Sequence, residues 1–151
     1  MDKKKKFDFG IIIEARVGSS RFPGKILKKI NNKTILEILI DRLEFKKENI
    51  AIVVATTTKS KDDAIVKICQ KNEIHYFRGP ENNIPKRVYL AAVKFNIANI
   101  IQVTSDQPLM DKDLIVNAIK IYKKKKLNFL TNNYPEETFP KGMWINIIKS
   151  D

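Results

Sequence analysis

The sequence predicts an α/β domain: a mostly parallel sheet in three layers, with helices on both faces. Three observations lead there. Residues 9–13, 50–56 and 100–104 are short, branched, apolar runs of the kind that form strands buried on both sides. Segments with helical apolar spacing separate them. The first run passes directly into residues 15–25, a loop with two glycines, two arginines, a lysine and adjacent hydroxyls. Ligands of such sheets sit beyond the carboxyl ends of the strands. Residues 15–25, 56–63 and 104–111 are therefore expected to converge.

The elements follow in order. Residues 1–8 form a basic tail, Met-Asp-Lys-Lys-Lys-Lys at its start, and residues 9–13 the first strand. A helix is expected over 35–45, opened by a capping box of Thr34 and Glu37. Residues 50–56 form the second strand. Ser60 and Asp63 open the next helix, whose buried side carries Ile65, Val66, Ile68 and Cys69. A short strand at 75–77 precedes a helix at 85–95, with Pro85 at an early position where its missing N–H costs little. Residues 100–104 are a further strand. Asp111 or Asp113 caps a helix reaching Tyr122 and ending in lysines, which suits a helix C-terminus. Residues 129–131 form a last short strand of a domain spanning 9–132. Beyond it, 133–151 reads as a loop and a strand at 144–148. An unfinished sheet edge there would favour association, such as a homodimer.

Composition narrows the function classes. With 43% hydrophobic and 30% charged residues, the chain is globular rather than disordered. Its apolar runs are far too short to span a membrane, and the one after the basic start is broken by Glu14, so no signal peptide is read. The single cysteine, Cys69, precludes an internal disulfide and points to a reducing, cytoplasmic setting. The net charge of +12 invites a nucleic-acid reading, but only five of the 29 basic residues are Arg and no recognition module is visible. No specific nucleic acid is expected. His75 has no metal-ligating or triad partner nearby in sequence, and Tyr76, Phe77, Tyr89 and Phe95 read as packing residues. Met143 and Trp144 read either as an interface patch or as core of a longer chain.

The loop after the first strand is built to hold phosphate. Gly18 lets the backbone approach an anion, and successive N–H groups can form a nest for it. Arg16, Arg21 and Lys25 supply charge suited to a triphosphate. The spacing is neither G-x-x-x-x-G-K-[ST] nor G-x-G-x-x-G. A second segment, Thr104-Ser105-Asp106-Gln107-Pro108-Leu109-Met110-Asp111, places a carboxylate at a strand's end. Asp106 is well placed for Mg²⁺, which takes one or two carboxylates with phosphate oxygens and water. The alternative is that Asp106 only caps a turn. Asp111 reads as a helix cap.

The run Ile12-Ile13-Glu14-Ala15-Arg16-Val17-Gly18-Ser19-Ser20-Arg21-Phe22-Pro23-Gly24-Lys25-Ile26-Leu27 resembles the signature of the cytidylyltransferases that make CMP-activated sugar acids. It is most similar to their spore-coat-polysaccharide branch and, more distantly, to the 3-deoxy-manno-octulosonate and acylneuraminate enzymes. The likeness continues in Ser105-Asp106-Gln107-Pro108-Leu109-Met110-Asp111, in Val54-Ala55-Thr56-Thr57-Thr58 with Asp62-Asp63, and in Phe77-Arg78-Gly79-Pro80-Glu81-Asn82-Asn83 followed by Arg87. It runs from about residue 9 to residue 142. The resemblance implies a Rossmann-like fold of the nucleotide-diphospho-sugar transferase type. It implies CMP transfer from CTP to a sugar acid, with pyrophosphate release and Mg²⁺ on Asp106. Arg21 and Lys25 would stabilise the triphosphate charge, and Arg16, Gly18 and Ser19 would cradle phosphate. Ala15, Thr56 and Arg78 would face cytidine, and Arg87 nucleotide or acceptor.

Two departures stand out. Where the family continues Tyr-Pro-x-Gly-Leu-Asp-Val-Glu, this chain has Phe139-Pro140-Lys141-Gly142-Met143-Trp144-Ile145-Asn146, without either acid. Members of the family are also much longer. Residues 133–151 would thus lead into a C-terminal part that supplies acceptor contacts. Two other readings stay open: a nucleotide-binding homologue without turnover, and a lysine-rich binder of polyanions.

Overall fold

The computed structural model describes residues 7–18, 22–45 and 49–150. Its frame is a six-stranded sheet. In chain order the elements are β1 (Phe7–Glu14), a hairpin of β2 (Lys29–Ile30) and β3 (Lys33–Thr34), α1 (Ile35–Arg42), β4 (Ile50–Thr57), α2 (Asp63–Lys71), β5 (His75–Gly79), α3 (Ile84–Lys94), β6 (Ile97–Thr104), α4 (Lys112–Lys124), β7 (Phe129–Thr131) and β8 (Asn146–Lys149).

The spatial order is β5-β4-β1-β6-β8-β7. β1, β4, β5 and β6 pair in parallel; β8 runs antiparallel to both β6 and β7. The apolar run of β1 is continuous because the strand is covered on both faces. Phe9, Ile11 and Ile13 share a core with α1, α2 and α4, while Ile12 packs with Val88, Ala91 and Ala92 of α3. The sheet is therefore layered by helices on both sides, as the sequence predicts.

Local signals set the helix starts. Thr34 caps α1: its Oγ1 accepts the Glu37 N–H at 3.1 Å, and the Glu37 carboxylate accepts the Thr34 N–H at 2.8 Å. Asp111 caps α4, accepting from the N–H groups of Asp113 and Leu114. α2 departs from expectation. A 3₁₀ turn over Ser60–Asp62 precedes it, and Asp62, at the capping position, does not cap. Its carboxylate faces the first loop instead.

One expectation is corrected. The strand near 144–148 is no sheet edge: β8 lies between β6 and β7, paired on both sides. Its backbone groups are taken up within the chain, so the argument for association through that edge falls. Asn132 pins the approach to β8. Its side chain donates to the Met143 carbonyl at 2.9 Å and accepts the Ile145 N–H at 2.8 Å.

Candidate active site

β1 and β6 are neighbours, yet the chain leaves β1 toward β4 and β5 before α3 returns it to β6. That reversal opens a crevice at the carboxyl ends of β1 and β6, the place where open α/β sheets hold ligands. A cleft of about 220 Å³ lies there, lined by Glu14, Ala15, Arg16, Lys25, Ile26, Ile84, Arg87, Thr104, Ser105 and Asp106.

Three anchors shape its first wall. The Ala15 N–H donates to the Ala55 carbonyl at 3.2 Å, which carries the end of β1 alongside β4. The Val17 N–H donates to Asp62 Oδ1 at 2.7 Å. Asp62 is fully buried and also accepts from the Thr57 hydroxyl. The Gly24 N–H donates to the Val17 carbonyl at 3.0 Å, closing the loop on itself. Gly24 sits at φ 69°, a left-handed conformation natural to glycine, and the 3₁₀ turn Lys25–Leu27 follows. This turn aims Lys25 back across the cleft.

The opposing wall begins where β6 ends. The Ser105 N–H donates to the Glu14 carbonyl at 3.0 Å, locking the two strand ends together. Asp106 then faces Lys25, and their side chains form an ion pair. Asp106 Oδ1 also accepts from the Thr104 hydroxyl at 2.7 Å. Burial alone would raise the Asp106 carboxyl, but the hydrogen bonds from Lys25 and Thr104 outweigh it and hold the group below its ordinary value. Arg42 braces the segment from behind, its Nε donating to the Met110 carbonyl at 3.0 Å.

The residues singled out from sequence divide into groups. Ala15, Arg16, Lys25, Arg87 and Asp106 line the cleft together. Gly18 stands at the end of the described part of the first loop; Ser19 and Arg21 lie outside the described residues. Arg87 is almost wholly buried. Its Nη1 donates to the Pro80 and Glu81 carbonyls, and its Nε has no partner among the described residues. Burial lowers its pKa, an effect partly offset by the charge of Glu14. Thr56 and Arg78 do not line the cleft. Thr56 is fully buried in β4, its hydroxyl without a partner among the described residues. Arg78 is turned to the segment after β4, donating to the carbonyls of Thr57 and Lys59 at 2.8 Å each and pairing with Asp63 at 2.7 Å.

Sequence reasoning missed Glu14, which lines the cleft while its carboxylate accepts from Gln102. It also missed Asp62 as the tie between the loops after β1 and β4. The sequence reading opened that helix at Ser60 and Asp63 and held Asp62 only as part of the family likeness. Among the described residues, no three of His, Cys, Asp and Glu gather to hold a metal ion.

The strand order and the cationic loop over the switch point define the class, an α/β domain of the nucleotide-diphospho-sugar transferase type. The cytidylyltransferase family profile matches residues 10–139, and the chain belongs to that family. It is 35% identical over 114 residues to the spore coat polysaccharide biosynthesis protein SpsF of Bacillus subtilis, a match covering 72% of this chain and 47% of that protein. A solved cytidylyltransferase from Leptospira borgpetersenii superposes with a TM-score of 0.84 and 36% identity, covering 95% of this chain and 60% of that one. CMP:2-keto-3-deoxy-manno-octonic acid synthetase, solved in complex with CTP, shares the fold with a TM-score of 0.67 and 23% identity, covering 82% of this chain and 51% of that one. The chain spans about half the length of the curated relatives it matches. No helix among the described residues is long and apolar enough to cross a membrane.

Proposed function

We propose that this chain binds CTP in the β1–β6 cleft and transfers its CMP unit to a sugar acid, releasing pyrophosphate, in the synthesis of a surface polysaccharide. The observation that carries the reading is the meeting of Lys25 and Asp106 across the switch point. One cation and one carboxylate face each other where a phosphoryl group would lie. Family membership and the CTP-bound fold relative support cytidine as the base. The named role of the Bacillus protein supports the polysaccharide.

The acceptor hydroxyl attacks the α-phosphorus of CTP; a new P–O bond forms, the bond to the bridging oxygen breaks, and pyrophosphate leaves with its electrons. Such chemistry needs alignment and charge neutralisation rather than a covalent nucleophile. Lys25 stabilises the charge that grows on the triphosphate. Arg16 and the N–H groups near Gly18 hold phosphate oxygens, with Ser19 and Arg21 of the same loop. Ala15 faces the nucleoside. Thr56 and Arg78 support its pocket from behind, through the segment that Arg78 fastens. Arg87, which lines the cleft wall, faces nucleotide or acceptor.

Asp106 is the residue to hold Mg²⁺. It is an ionised hard-oxygen ligand at the cleft wall, and one carboxylate with phosphate oxygens and water suits that ion. The ion would supply charge neutralisation at the reacting phosphate. Lys25, the present partner of Asp106, would serve phosphate.

A second reading rests on Trp144 and Asn146, which stand where the family has acids, and on the half-length match. In it the chain holds nucleotide but turns over only when a further segment or chain supplies acceptor contacts. Incubation with CTP, Mg²⁺ and a panel of keto-sugar acids tests the proposal through pyrophosphate release. Release with one acceptor supports transfer by this chain. Nucleotide binding without release from any acceptor supports the second reading.

A further inference from the structure

We infer that Lys61, in the turn after β4, is an additional ligand for the terminal phosphates of the nucleotide, held ready by Glu81. The inference rests on the nucleotide-binding reading of the first loop. Glycine at position 18 leaves open a space that Lys61 fills. A β-carbon built on Gly18 would lie 2.8 Å from Lys61 Nζ. The ammonium therefore rests against the stretch of backbone that the loop offers to an anion. The neighbouring carboxylate is Glu81, whose Oε1 accepts from Lys61 Nζ at 2.9 Å. Lys59 approaches the other Glu81 oxygen at 3.7 Å.

Rigid delivery separates Lys61 from an ordinary solvated lysine. The next residue, Asp62, is fully buried and accepts the Val17 N–H, one residue before Gly18. The turn carrying Lys61 is thus fastened to the loop it serves. Its place in the sheet fits a division of labour. Lys25 meets Asp106 on the β6 side of β1, whereas Lys61 comes from the β4 side. A triphosphate lying along the loop would have a cation on each flank. Lys61 supplies a compact point charge that turns from Glu81 to phosphate without rearranging the backbone.

Glu81 gives the inference a sign that a structural ion pair lacks. If the Lys61–Glu81 pair only braced the fold, removing either partner would have the same effect. If Lys61 serves phosphate, Glu81 competes for it, and its removal spares or improves binding. Calorimetric titration of the whole chain with CTP and CMP, each with Mg²⁺, tests this in wild type, Lys61→Ala, Lys61→Arg and Glu81→Gln. The expected result is an approximately tenfold loss of CTP affinity in Lys61→Ala. CMP affinity should change less than twofold, Lys61→Arg should restore most of the loss, and Glu81→Gln should bind CTP at least as tightly as wild type. Unchanged CTP affinity in Lys61→Ala, equal losses for CTP and CMP, or parallel losses in Lys61→Ala and Glu81→Gln would each overturn the inference. Wild-type protein that binds neither nucleotide would instead overturn the underlying nucleotide-binding reading.

Discussion

At Asp106 burial and pairing pull in opposite directions, and pairing wins. The carboxylate is therefore held ionised below its ordinary value. Its folded-state pairing with Lys25 is fully present above that value and is lost only as pH falls through the lowered one. At neutral pH Asp106 is thus an anion available to a cation, and Lys25 is its resident partner. Asp106→Asn keeps the shape and removes the charge. It is expected to lower Mg²⁺-dependent turnover by at least a hundredfold while CTP affinity measured without metal is retained; rate assays and calorimetry check the two halves. Cys69 makes the contrasting case. It is fully buried, and burial pushes its thiol up to about 12. A thiol reagent at pH 8 should leave the native protein untouched and react fully on unfolding. The burial of Cys69 was legible in the sequence, from a small residue on a helix's apolar side, and so was the place of Asp106 just past the end of a strand. Lys61 and Asp62 were not, because their partners at 81 and 17 are distant in the chain and no spacing rule joins them.

Among the elements, α1 was the most readable because its start is written in four consecutive residues. The capping box there carries a pH signature. Hydrogen bonding from the Thr34 backbone, with smaller help from its hydroxyl and from Lys71, lowers Glu37 to about 2 against the cost of burial. A depressed acid stabilises the fold above its unfolded value of 4.5 and loses that contribution as pH falls toward about 2. Glu37→Ala should therefore cost about 1–2 kcal/mol at neutral pH. Denaturant titrations should show the gap to wild type shrinking through that acid window. β1 holds a different constraint, set by close approach. A β-carbon on Gly10 would come within 2.5 Å of Ile97 Cδ1, and Ile97 is itself buried. Gly10→Ala should destabilise the protein by about 1–3 kcal/mol in denaturant titration, through overpacking between β1 and α3's side of the sheet. The β2–β3 hairpin escaped the sequence reading even though its turn residues, Asn31 and Asn32, adopt φ of 47° and 66°. Adjacent asparagines at a turn were the available signal, and strands of two residues carry no periodicity to reinforce it.

For the molecule as a whole, alternation of strand and helix made the parallel half of the sheet predictable, since short crossovers leave few topologies. The antiparallel insertion of β8 between β6 and β7 was not legible. Its pairing is long-range, and its approach is set by the single side chain of Asn132. The crevice follows from the readable half: β1 and β6 lie side by side while the chain between them travels away and back. Its electrostatics follow from which loops that arrangement brings together, and the lysine excess elsewhere is not needed. The central claim is that Lys25 serves a nucleotide in this crevice. Isothermal titration of the chain with CTP and Mg²⁺, in wild type and Lys25→Ala, tests it most directly. The account predicts saturable single-site binding that weakens at least tenfold in the variant. No heat with wild type, or equal affinity in the two proteins, would contradict it.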